Sequence, residues 1–248
     1  LLKINANTAR HLLSTKHLLW WGCLKKIIRR QNKMIPQQDP LFDANALTLN
    51  IQDAIGMGNR RWVFQHPHHP HLCIKVARQA HIREQLNTKG GLYRLMPNTW
   101  RDDNVLEARA YTQKALTTED AYIWRHLPHM YGWQATNLGP GLVFDYYQDA
   151  DGKPAPNLQG VLQTQGLTNA LETAIDELHR YMRTTQIWMR HPGPPNIVWA
   201  RDGHLKLIDC LGTYTMGWQH HIRPFRRKRI QRHSAYLTTT INAAIAAQ

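Results

Sequence analysis

The stretch Gln186–Gly212, QIWMRHPGPPNIVWARDGHLKLIDCLG, decides how the rest of the chain reads. It contains two short apolar runs, Asn196-Ile197-Val198-Trp199 and Leu205-Lys206-Leu207-Ile208. Between them Arg201-Asp202-Gly203-His204 carries the Asp-Gly pair that favours a tight hairpin turn. Asn196 stands at the entrance of the first strand and Asp209 at the exit of the second, so the hairpin brings an amide and a carboxylate oxygen together. Hard divalent cations carrying a nucleotide's phosphates take such oxygen ligands, which makes Asn196 and Asp209 the candidate Mg²⁺ ligands. Alone, the same pattern describes an ordinary surface hairpin, and the remaining sequence has to decide between the two.

The chain has 248 residues, enough to bury a sizeable core in one large or two small domains. Cys23, Cys73 and Cys210 lie far apart without a metal-ligand spacing, which argues against a structural zinc site and a disulfide scaffold and fits a reducing cytoplasm. The net charge of +14 is carried by the two ends. Residues 1–33 hold eight Lys/Arg and residues 213–248 hold six, neither with an acid, so residues 34–212 are neutral. A nucleic-acid-binding core would carry its own basic face, so nucleic acid is not the expected partner.

Residues 1–33 precede the first methionine, and Met34 is expected to be the natural start, with a genuine basic helix as the alternative. The apolar run His17–Leu24 is too short to span a bilayer and lacks the cleavage site of a secretory signal. Strand patterns are expected at Leu47–Ile51, on both sides of the glycines Gly56-x-Gly58, at Leu72–Val76, at Leu127–Trp133 and at Gly141–Tyr147. Residues 79–100 read as loop. Helical spacing runs over Asn104–Leu116, with Val105, Ala108, Tyr111 and Ala115 on one face, and again over Leu171–Met182. The order implies an α+β protein in two lobes, with residues 34–147 as a small β-rich lobe and residues 148–248 as a short helical one ending in a basic tail.

The glycine pair sits between two strands, which excludes the dinucleotide-fold reading, where a helix N-terminus must receive the pyrophosphate. A glycine turn joining antiparallel strands, with Val63 and then the strand lysine Lys75 following, fits a kinase-type phosphate lid. A lysine inside Cys-Ile-x-Val is costly to bury unless paired; a phosphate and Glu107 are its natural partners. Lys75, Glu107, the Asp145-Tyr146-Tyr147 segment where adenine would meet backbone, Asn196 and Asp209 then fall in kinase order. The candidate set is therefore His191, Lys75 and Glu107 for catalysis, and Gly56, Gly58, Arg61, Val63, Lys75, Asp145 and Tyr146 for ATP.

The chain resembles the YrbL family of bacterial PhoP regulatory network proteins, a divergent branch of the protein-kinase-like fold. The resemblance covers about residues 47–236. It rests on Gly56-x-Gly58 and its Arg-rich turn, His66-Pro67, Cys73-Ile74-Lys75, Tyr131-Gly132, Asp149-x-Asp151-Gly152-Lys153-Pro154, Pro195-Asn196-Ile197 and Asp209-x-x-Gly212. The basic segment Trp218–Arg232 also looks like that family. It implies Mg·ATP binding in bacterial signalling or envelope-stress regulation. Four departures weigh against an ordinary protein kinase. The position five before Asn196, a catalytic aspartate in kinases, is His191; the third lid glycine is Arg61; the metal motif reads Asp209-Cys210-Leu211-Gly212 in place of Asp-Phe-Gly; and only 36 residues follow Gly212, too few for a full helical lobe.

Two functions follow from these departures. One is an atypical phosphotransferase toward a protein or small-molecule acceptor, with a neutral His191 taking the hydroxyl proton. The other is a pseudokinase, a partner-binding module without turnover. The basic tail, with Trp218 and Phe225 beside Arg226–Arg229, suits weak contact with an anionic membrane surface, against the plainer reading of a basic helix packed on the helical lobe. The His66–His71 stretch reads as a proline-rich connection between strands before it reads as a metal site.

Overall fold

A computed structural model describes residues 46–58, 60–78, 102–212 and 222–246. The segment 1–33 with Met34, the loop 79–100 and the Trp218 end of the tail lie outside the described residues. The fold is α+β. Five antiparallel strands, β1 (Gly56–Met57), β2 (Arg61–Gln65), β3 (Leu72–Ala77), β4 (Met130–Gln134) and β5 (Gly141–Asp145), form one sheet in the order β1-β2-β3-β5-β4. Helix α1 (Asp103–Ala110) and the short α2 (Ala121–Trp124) lie between β3 and β4 in sequence. After β5 come α3 (Leu158–Gln165), α4 (Asn169–Thr185), the hairpin of β6 (Ile197–Trp199) and β7 (Leu205–Leu207), and α5 (Arg223–Ala246).

Alternation along the central strands splits the core and aims the site. Ile74 and Val76 of β3, with Val143 of β5, join Leu47, Leu49, Phe64 and Leu72 in a small cluster on one face. Cys73, Leu142 and Phe144 belong to the larger cluster, shared with α3, α4 and the hairpin. Lys75, paired in register with Val63 and Leu142, falls between Ile74 and Val76 and so points to the opposite face from them. Helix α4 buries Leu171, Ile175, Leu178 and Met182, the stripe its spacing predicts. Helix α5 is docked through Ile230, His233, Leu237 and Ile241, and Arg229 lies over the Trp188 ring at 4.6 Å. The basic stretch Arg223–Lys228 opens this helix and is mostly exposed, and the docking begins after it.

Two sequence expectations need correction. The helix expected over Asn104–Leu116 runs only from Asp103 to Ala110. The Gln113 amide ends it: Nε2 donates to the carbonyls of Ala110 (2.9 Å) and Trp188 (3.2 Å), while Oε1 accepts from Trp188 N–H at 2.8 Å. A distant backbone segment thus captures the turn that would have continued the helix. The strand expected over Leu47–Ile51 is reduced to one bridge from Leu47 to Thr136, followed by a 3-10 turn whose Asn50 side chain accepts from Gln52 N–H. Among the described residues no helix is long and apolar enough to cross a membrane.

Candidate functional site

A cleft of about 800 Å³ opens between the glycine turn of the sheet and the β6–β7 hairpin. Gly56, Gly58, Arg61, Val63, Lys75, Asp145, Tyr146, Asn196 and Asp209 all line it. Glu107 stands behind Lys75 and His191 is outside the lining.

The floor is an ion network. Lys75 Nζ donates to Glu107 Oε1 at 2.9 Å, and it lies 4.3 Å from the centroid of the Phe144 ring. The Arg61 guanidinium pairs with the other oxygen of Glu107, with Asn104 Oδ1 at 3.2 Å, and with the carboxylate of Asp209. Asn104, fully buried, also donates from Nδ2 to the Lys75 carbonyl at 2.8 Å. Burial alone would raise the Glu107 carboxyl, but the charges of Lys75 and Arg61 hold it below its ordinary value, so it stays ionised. Burial pushes the Cys73 thiol up to about 11, which keeps this cleft residue neutral and unreactive.

The opposite wall is set by the hairpin and the loop before it. Gly193 N–H donates to the His191 carbonyl, Asn196 N–H to the Gly193 carbonyl at 2.8 Å, and Ile208 N–H to the Asn196 carbonyl at 2.9 Å. Asn196 Nδ2 donates to the His191 carbonyl at 3.2 Å, which fixes how its amide is turned. Asp209 has φ +52, a left-handed conformation that costs a non-glycine residue energy and is held by its surroundings. Three residues on, Gly212 has φ +87, and a Cβ there would come within 2.8 Å of Glu107 N. Only glycine lets the Asp209–Gly212 segment press against α1 at the point where Glu107 leaves it.

The sequence-derived residues divide clearly. Lys75, Glu107, Arg61 and Asp209 meet in one network, and the glycine turn covers the same cleft. The Asp145 carboxylate is engaged within the protein, accepting from Tyr131 OH (2.8 Å) and His129 N–H (2.7 Å). Tyr146 N–H donates to the His71 carbonyl at 2.8 Å, so a base lying here would meet the neighbouring groups of the segment. The exposed His191 ring lies 6.3 Å from the ring of His233 of α5, centroid to centroid. Residues not foreseen are Asn104, and Asp103, which lies 3.4 Å from both Arg60 and Arg190 at the rim. Asn104 stands one helical turn before Glu107, a spacing that could have found it.

The family model described as PhoP regulatory network protein YrbL matches residues 47–241. The chain is 24% identical over 178 residues to the uncharacterized protein YrbL of Escherichia coli strain K12, which covers 68% of this chain and 75% of that protein. The uncharacterized protein YrbL of Shigella flexneri matches to the same extent.

Proposed function

The chain belongs to the YrbL family of PhoP regulatory network proteins, and from that premise we propose that it is a two-lobed, kinase-like module that binds Mg·ATP in the cleft. In this reading the sheet with α1, residues 34–147, is the small lobe, and residues 148–248 belong to a helical lobe. The observation that carries it is the buried pair of Lys75 with Glu107, facing a wall that bears Asn196 and Asp209. A lysine ammonium in the wall of a cleft supplies a charge for phosphate, and its carboxylate partner holds it in place. Asn196 and Asp209 would hold Mg²⁺, which neutralises phosphate charge. The glycine turn at Gly56 and Gly58 would lie over the phosphates.

Phosphoryl transfer depends mostly on position and charge, so loss of the usual aspartate does not by itself remove it. Yet Asp103, Asp145 and Asp209, the carboxylates lining the cleft, are all engaged in ion pairs or hydrogen bonds, and His191 lies outside it. That favours a second reading, a nucleotide-gated binding module without turnover. Incubation of the protein with Mg·ATP beside a Lys75→Ala control separates them. Phosphate release or transfer above the control supports an atypical phosphotransferase. A nucleotide-dependent rise in Tm without turnover supports the module. Neither effect removes the nucleotide reading.

A further inference from the structure

We infer that His126, Glu177 and His204 form a site for a divalent transition-metal ion of the Zn²⁺ class, outside the cleft. The three residues come from separate elements: His126 follows α2, Glu177 projects from α4, and His204 closes the turn between β6 and β7. One ligand atom from each lies within 4.8 Å of the other two. Two imidazoles and a carboxylate are a donor set that Zn²⁺ accepts, with water completing the shell.

The chemistry of His126 carries the inference. The side chain is fully buried, and its Nδ1 sits 2.7 Å from the Leu205 carbonyl, which can only accept. Nδ1 therefore holds the proton, and Nε2 presents a lone pair. This is how a backbone carbonyl commonly orients a metal-binding histidine from behind. Nε2 is buried without a hydrogen-bond partner and faces Glu177 Oε1 at 3.9 Å. A lone pair facing a carboxylate oxygen is unfavourable unless a cation lies between them. A shared proton would draw the atoms to about 2.8 Å. Ligands about 2.0–2.1 Å from one ion lie between ~3.3 Å (tetrahedral) and ~4.1 Å (in line) apart. The observed gap suits an ion.

Two contacts have to give way to an ion: Glu177 Oε2 lies 3.0 Å from His204 Nδ1, a hydrogen-bond distance closer than two ligands of one ion, and Oε1 accepts from Arg125 Nη1 at 2.8 Å. Arg125 is partly exposed and can release Oε1 to solvent. An ion here would join α4 to the far turn of the hairpin whose near end carries Asn196 and Asp209, and so would brace that wall.

The test is Zn²⁺ titration of the metal-stripped full chain by calorimetry, followed by Co²⁺ substitution. Parent protein, His204→Ala, Glu177→Gln and a triple His68→Ala, His69→Ala, His71→Ala variant are compared, each checked for retained fold by circular dichroism. His204 and Glu177 are chosen because both are partly exposed, whereas truncating His126 would open the core. One Zn²⁺ equivalent is expected in the parent, with the intense visible absorption of tetrahedral Co²⁺ and a Zn²⁺-dependent rise in Tm. All three should survive in the triple variant, and affinity should fall at least ~10-fold in His204→Ala and Glu177→Gln. Absence of a stoichiometric equivalent, its loss in the triple variant, or unchanged binding in His204→Ala and Glu177→Gln would overturn the site.

Discussion

The guanidinium of Arg61 is ion-paired with the carboxylate of Asp209, so in the proposed reading it occupies an oxygen that would be offered to a metal ion. The same guanidinium also pairs with Glu107, and Arg61 therefore ties the glycine turn to both walls of the cleft. A Mg²⁺ ion that takes Asp209 Oδ1 would compete with it.

Replacing Arg61 with Gln should thus act in two directions. Stability falls by about 1–3 kcal/mol, since a buried charge-assisted bond to Glu107 is lost while Lys75 still pairs with it. The Mg²⁺ concentration that half-saturates nucleotide binding falls, since Asp209 is released. Urea unfolding and nucleotide titration at several Mg²⁺ concentrations measure the two effects.

The Lys75–Glu107 pair predicts strong coupling. Glu107→Gln leaves the Lys75 and Arg61 charges facing a neutral amide and costs about 3–5 kcal/mol, whereas Lys75→Met leaves Glu107 paired with Arg61 and costs less. The double variant, in which Arg61 keeps only Asp209, should lose less than the sum of the single losses. A double-mutant cycle by urea unfolding reads this directly; additive losses would contradict it.

Gly212→Ala should destabilise the protein by more than ~1 kcal/mol, because the residue is left-handed and its new Cβ meets backbone atoms of α1 that cannot swing away. The same change shifts Asp209 relative to Glu107. Nucleotide affinity should therefore fall together with Tm, although residue 212 itself contacts no phosphate in the proposed complex.

His233 gives a pH dependence with a defined sign. Burial, then the nearby charge of Arg229, lowers the imidazole from 6.5 to about 4, with His191 and Arg232 acting in the same direction. Between these values the unfolded chain binds a proton at this position that the folded chain refuses. Stability should therefore be full above pH 6.5 and decline as pH falls toward 4. His233→Phe, which fills the site without titrating, should show a shallower decline in urea midpoint over that window.

Much of the cleft was legible in the sequence because its parts follow local rules. A lysine flanked by buried strand residues must find an anion, and Glu107 was the acid on the next helix. The Asp-Gly turn fixed the hairpin, and with it the positions of Asn196 and Asp209. What escaped was set by packing between distant segments. The partners of Arg61 depend on how the glycine turn lies over α1 and the hairpin, which no spacing encodes. Gln113 ends α1 through contacts with Trp188. His191 was placed by counting back from Asn196, a count that carries no information on its contact with the His233 ring of α5. His126, Glu177 and His204 carry no spacing signature, since each comes from a different element.

If the cleft holds Mg·ATP through Lys75 and Asp209, as proposed, calorimetric titration of Mg·ATP into the parent protein, beside Lys75→Ala and Asp209→Asn, detects it. Saturable binding in the parent that weakens in both variants is the predicted result. No binding in the parent, or binding unchanged by either substitution, would contradict it.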